Sequence, residues 1–226
     1  MQSSPKFLDK TLHKFSHKIF IIGLPRTATT SVCLTMLDLG FKTAHTAYTQ
    51  QTVEQAQVIA DTPIFTDYQS LDLLYPQAKF IYLERESVKW VPSIRQLLQR
   101  MQVNLQRQDG GFNPTIKRCY QEVFGHFTEK QLRQDDFLIE CYHQHKTAVT
   151  QYFKDRSQDL LMIDVSQKDS FMALLNFLSI QTNETTASHF ALINVGGKVT
   201  AWNKIKHPFK VSSTKAGRVD PVIHRK

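Results

Sequence analysis

The sequence predicts an α/β fold in which a parallel sheet is covered by helices on both faces. Three observations carry this reading. Two strand–loop–helix units stand out, a third strand with its own helix follows them, and the apolar runs are continuous rather than alternating, as in strands buried on both sides. The first run is Ile19-Phe20-Ile21-Ile22, which ends at Gly23. A small, polar stretch follows, and from Ser31 the residues Val32, Cys33, Met36 and Leu37 return at helical spacing, with Gly40 placed as a C-terminal cap. In the second unit, Lys79-Phe80-Ile81-Tyr82-Leu83 leads through Glu84-Arg85-Glu86-Ser87 into a long apolar stripe running from Val88 to Leu105. Pro92 falls in the early turns of that helix, where proline is tolerated. Leu160 to Val165 is the third strand, followed by Phe171, Leu174, Leu175 and Leu178 at helical spacing. Intervening helices are predicted over Val53 to Ala60, Tyr68 to Leu74, and Phe137 to Phe153. Asp109 to Pro114 reads as a loop, and the even composition on either side of it argues for one domain over residues 1–226.

Composition narrows the function classes. Of 226 residues, 41% are hydrophobic and 21% charged, which excludes disordered and fibrous classes. The net charge, 28 − 20 = +8, suits an anionic partner. Cys33, Cys119 and Cys141 are an odd, widely spaced set, so neither a disulfide framework nor a zinc site is signalled. No run approaches the roughly 20 apolar residues of a membrane span, and no signal peptide is read at the start. A reducing, cytoplasmic setting follows as an expectation.

The chemistry gathers at two turns. Gly23-Leu24-Pro25-Arg26-Thr27-Ala28-Thr29-Thr30-Ser31 lies between a buried strand and a helix, where unpaired N–H groups and the positive helix end favour an anion. Arg26 adds forked donors, and Thr27, Thr29, Thr30 and Ser31 add hydroxyls. Helix capping by Thr29, Thr30 or Ser31 is the plainer alternative. The nucleotide loop Gly-x-x-x-x-Gly-Lys-[Ser/Thr] is not met, which disfavours a magnesium-dependent kinase or hydrolase. The second turn is Arg85, at a strand end, with Ser93 eight positions later in the following helix.

Pro25-Arg26-Thr27-Ala28-Thr29-Thr30-Ser31 resembles the phosphosulfate loop of sulfotransferases that use 3′-phosphoadenosine 5′-phosphosulfate (PAPS). Arg85 and Ser93 resemble that family's pair for the donor's 3′-phosphate. Trp90 and the approach Tyr75-Pro76-Gln77-Ala78-Lys79-Phe80-Ile81 are similar to one branch of it. The likeness runs from about Lys18 to Ser93, and more faintly from Leu160 to Leu178. It implies a three-layer α/β/α sandwich related to P-loop NTPases, PAPS as donor, an acceptor hydroxyl or amine, and no catalytic metal. The alternative for Arg85 is a surface ion pair with Glu84 or Glu86.

Within that frame Arg26 is the cation for the charge that builds on the leaving oxygen. Being a guanidinium, it cannot also give up a proton there. Ala28, where the family commonly has Gly, implies that the turn keeps a negative φ. Asp61, ahead of Thr62-Pro63, ranks first as base and His45 second, while Asp67 reads as the cap of the helix beginning near Tyr68. Lys215-Ala216-Gly217-Arg218 resembles the family's basic C-terminal loop, which makes Arg218 a further 3′-phosphate contact and residues 204–226 a basic tail or closing loop. Gly196-Gly197-Lys198 reads as a tight turn. The competing functions are an inactive nucleotide- or polyanion-binding protein of this fold, a P-loop kinase, and a nucleic-acid module lacking any recognisable motif.

Overall fold

The computed structural model describes residues 17–182, 185, 187–191, 194–195, 198–199 and 201–220. Strands β1 (Ile19–Ile21), β2 (Thr43–Ala44), β3 (Val58–Ala60), β4 (Lys79–Glu84) and β5 (Leu160–Asp164) form one parallel sheet in the order β2-β3-β1-β4-β5. Among the described residues the helices are α1 (Thr29–Asp38), α2 (Gln50–Gln55), α3 (Ile64–Leu74), α4 (Ser87–Gln106), α5 (Pro114–Phe124), α6 (Glu129–Leu132), α7 (Asp135–Tyr152) and α8 (Ser170–Phe177). None is long and apolar enough to cross a membrane.

The continuous apolar run of β1 is explained by its two faces. Ile19 and Ile21 belong to a core shared with α1 and α8, whereas Phe20 and Ile22 belong to a second core with α3 and the end of α7. Successive side chains point to opposite faces, so a strand between two helical layers must be apolar throughout. The result is the expected three-layer α/β/α sandwich. A third core packs Leu24 and Phe65 with the inner sides of α4, α5 and α7 beyond the strand ends. Gly23 is required where β1 leaves the sheet, because a Cβ there would stand 2.7 Å from Leu83 Cβ.

Several expectations are corrected. Val58 to Ala60 is a strand, not the end of a helix. The helix stops at Gln55, and the three apolar residues are wholly buried between β1 and β2. Short apolar runs cannot be told apart by periodicity. Helix α3 begins at Ile64 with Pro63 as its N-cap, so Asp67 is inside its first turn rather than capping it. The turn expected at residues 196–198 falls largely outside the described residues, and the flanking β6 (Asn194–Val195) and β7 (Lys198–Val199) pair antiparallel.

Residues 201–220, which hold the described part of the stretch read as a basic tail or closing loop, are pinned to the fold. They run along the outer edge of β2, where Thr43 N–H donates to Phe209 O at 2.9 Å and Val211 N–H to Thr43 O at 2.9 Å. Tyr48 N–H donates to Ser213 O at 2.9 Å, and Asp220 N–H to Tyr48 O at 2.8 Å. Side chains add to the seam, with Thr46 Oγ1 2.7 Å from Ser213 Oγ and Thr52 Oγ1 donating to Ser212 O at 2.8 Å.

Candidate active site

The sheet order places β1 between β3 and β4, so the connections leaving β1 and β3 diverge at its C-terminal end. A crevice opens at such a switch point. Here it is a cleft of about 620 Å³ lined by residues 25–31, His45, Asp61, Arg85, Ser93, Tyr120 and Asp164, among others. Ligand sites commonly have this size.

The turn after β1 is built from backbone. Arg26 and Ala28 have φ of 74° and 73°, both in the left-handed region, which corrects the negative φ expected of Ala28. An alanine there costs on the order of 1 kcal/mol that a glycine would not. The shape follows from what holds the turn: Thr27, 1% exposed, donates its hydroxyl to Leu24 O at 2.6 Å, and Trp90 Nε1 donates to Pro25 O at 2.9 Å. Ala28 is the N-cap of α1 and no side chain caps it, so the capping alternative for Thr29, Thr30 and Ser31 is not realised. Among the described residues, the N–H groups of 26 to 31 have no hydrogen-bond acceptor. Successive free amides at left-handed residues and a helix start make an anion-binding concavity.

The second turn uses side chains. Arg85 Nη1 donates to Arg26 O at 2.7 Å, and its backbone N–H donates to Tyr142 Oη at 3.0 Å. The surface ion pairs are absent, since Glu84 takes Lys146 and Glu86 takes Lys89. Arg26 Nε donates to Ser93 Oγ at 2.8 Å, so the two turns touch although 67 residues separate the partners. Trp90, fully buried, packs its ring 4.9 Å from that of Tyr142, so one aromatic pair braces Pro25 O on one side and Arg85 N–H on the other. Burial pushes the Arg26 pKa down, and the charges of Arg100 and Arg85 push it further.

The base candidates separate. His45 Nε2 lies 2.9 Å from Thr30 Oγ1 and 3.2 Å from Thr29 Oγ1, directly beside the amide concavity. Its ring packs on Trp202 at 5.5 Å, and Lys210 Nζ sits 5.0 Å from the centre of the same indole, held by the carbonyls of Trp202 and Ile205. Burial lowers the His45 pKa, Asp61 opposes this, and Lys210 reinforces it. The imidazole is therefore neutral at physiological pH and able to accept a proton. Asp61, with φ 53°, binds Thr62 N–H and Thr62 Oγ1 through Oδ1 alone, at 2.8 and 3.0 Å, which leaves its second oxygen for the cleft. Asp67 is outside the cleft lining, its carboxylate gripped by Arg118 at 2.8 Å on both oxygens. Arg218 is exposed at a turn through Ala216 and Gly217 and does not line the cleft.

A family model described as a sulfotransferase domain matches residues 45–196, about two thirds of the chain. The chain belongs to the sulfotransferase family. The reaction of the family is sulfuryl transfer, and the matched span holds His45, Asp61, Arg85 and Ser93. The turn at 25–31 precedes the match and Trp202 and Lys210 follow it, so their part in the sulfotransferase rests on geometry. No curated protein shows significant similarity to the chain. Among the described residues, no three His, Cys, Asp or Glu side chains are grouped to hold a metal ion. Tyr142, Trp202 and Lys210 carry no local signal in the sequence. Asp164 and Ser166 do, because they lie just at the end of a legible strand, where ligands of parallel sheets bind.

Proposed function

We propose that this sulfotransferase takes its sulfuryl group from PAPS and delivers it in line to a hydroxyl or amine, with protein cations and amides rather than a metal neutralising the charge. When bound, PAPS supplies the sulfuryl group on its 5′-phosphate. The free amides of 26 to 31 and the Arg26 guanidinium hold that end, and Arg26 stabilises the negative charge left on the bridging oxygen. Arg85 and Ser93 hold the 3′-phosphate. His45 or Asp61 takes the acceptor proton, His45 from beside the 5′ end and Asp61 through its uncommitted oxygen. Ala28 keeps the turn left-handed without glycine, so that departure from the family pattern does not itself argue against turnover.

The observation that carries this reading is the direct contact between the two turns, Arg26 Nε to Ser93 Oγ and Arg85 Nη1 to Arg26 O. One cleft then offers separate cationic grips for an adenosine phosphorylated at both ends. The desulfated product, PAP, tests it. At 100 times its dissociation constant it adds about 2.7 kcal/mol, which for a chain of this size raises Tm by about 5–10 °C, and it should do so in the presence of a chelator. Stabilisation by ATP with magnesium and not by PAP would favour the kinase reading instead.

A further inference from the structure

Four tyrosines are buried: Tyr68, Tyr82, Tyr120 and Tyr142. Three of their hydroxyls have partners in the protein. Tyr68 Oη accepts from Gln69 Nε2 at 3.4 Å, Tyr82 Oη lies 3.4 Å from His145 Nδ1, and Tyr142 Oη accepts from Arg85 N–H at 3.0 Å. The hydroxyl of Tyr120, a residue only 5% exposed, has no hydrogen-bond partner among the described residues. Its ring is placed by aromatic contacts alone, edge-on to Phe65 at 6.1 Å and tilted on Phe124 at 5.9 Å, and a phenylalanine would make the same contacts. A buried hydroxyl left without a partner is costly and rare. Tyr120 lines the cleft, so the group that satisfies it belongs there.

The phenol stands between the two ends of the transfer. Helix α5, which carries it, packs against both α3 and α4. Toward α3, Tyr120 meets Phe65, whose N–H donates to Asp61 O at 3.2 Å, so it borders the carboxylate ranked first as base. Toward α4, it shares a core with Ile94 and Leu98. Ser93 and Leu97 of the same turns line the cleft, and Ser93 holds Arg26. The charges of Asp61 and Arg26 both act on the phenol. Burial first, and the Asp61 charge after it, push its pKa well above the ordinary range, so at physiological pH the group is a hydrogen-bond donor and not a base. A donor that flanks the path from Arg26 to Asp61 faces what passes between them.

We propose that Tyr120 is a further catalytic residue, donating its phenolic hydrogen to an oxygen of the sulfuryl group. This rests on the PAPS reading, which sets that group between Arg26 and the base. Tyr120 keeps its proton throughout. The bond from sulfur to the donor's phosphate oxygen breaks with its electron pair left beside Arg26, the bond from sulfur to the acceptor forms, and the acceptor's proton goes to the base. To the amides of 26 to 31 and the Arg26 guanidinium the phenol adds a fixed donor from a separate element, α5.

The test compares two ligands that differ by the sulfuryl group alone, PAPS and PAP, by calorimetry on the full chain with no acceptor added. Tyr120→Phe keeps the ring and its contacts, weakens PAPS by about tenfold and leaves PAP unchanged. Its ligand-free Tm does not fall, since the hydroxyl holds nothing within the protein. Tyr68→Phe, which takes a buried hydroxyl from α3, changes neither affinity. If Tyr120→Phe leaves PAPS affinity as it was, weakens PAP equally, or lowers the ligand-free Tm, the hydroxyl does not bind the sulfuryl group. A wild-type chain that binds neither ligand overturns the donor reading and Tyr120 with it, whereas PAPS and PAP bound alike by wild type and variant overturn the role of Tyr120 alone.

Discussion

The turn at residues 25–31 and the turn at Arg85 are the two proposed anion grips, and they are made of different materials. The first offers main-chain amides, and its own side chains are largely engaged elsewhere, Thr27 with Leu24 O and Thr29 and Thr30 with His45. Its function depends on φ values at Arg26 and Ala28, so side-chain identity is loosely specified so long as the backbone is held. The second has an ordinary strand end and depends on one guanidinium and one hydroxyl. A backbone site tolerates substitution and resents loss of support, while a side-chain site behaves the other way round. The Trp90–Tyr142 pair supports each at a single atom.

The largest expected effect breaks the second turn. In the proposed reading Arg85→Ala removes the guanidinium that grips the 3′-phosphate, together with its bond to Arg26 O, and should cut the preference for PAP over AMP by about 100-fold or more, as read by calorimetry, with a smaller loss of AMP affinity. Equal losses for both ligands would mean that the two turns are not separate grips. Next comes pH. The His45 pKa is depressed, so with His45 as the proposed base the neutral imidazole is present at pH 7 and is lost as pH falls through that lowered value; PAPS turnover should then drop by about tenfold per pH unit. His45→Gln removes this acid limb, whereas Arg85→Ala lowers the plateau and leaves the limb in place. A limb that survives His45→Gln transfers the role of base to Asp61.

Smaller effects sharpen the contrast through the shared brace. Trp90→Phe leaves Pro25 O without its buried donor, costs about 1–3 kcal/mol of stability, and should weaken PAP and AMP alike. Tyr142→Phe removes the acceptor of Arg85 N–H and should weaken PAP severalfold while sparing AMP. The smallest effect is a gain: Ala28→Gly relieves the left-handed strain by about 1 kcal/mol, raising Tm by about 2–4 °C in a thermal melt. A fall in Tm would show that the turn is not strained at Ala28.

Legibility in the sequence followed the length of the signal. β1, β4 and β5 were readable because four to six apolar residues stand next to turn residues, and the site residues at their ends came with them. β2 and β3, with two and three residues, offer no period to read, and Val58 to Ala60 merged into a helical pattern. The sign of φ at Ala28 follows from the hydrogen bonds of Thr27 and Trp90 rather than from residue type, so it does not show in the local sequence. Asp67 looks like a cap locally, but the helix already begins at Ile64, and its partner Arg118 is 51 residues away. Tyr142, Trp202 and Lys210 reach the site across comparable or longer spans, which no local pattern encodes.

The strip from Phe209 to Ser213 has a last consequence. By zipping onto Thr43 and Tyr48 it seals the margin of the sheet that β2 would otherwise leave open to foreign strands, and the same stretch of chain brings the indole that shelters His45. The covered sheet edge and the packing around His45 are thus fastened by one clasp, and a proteolytic nick just ahead of Trp202 would surrender both together.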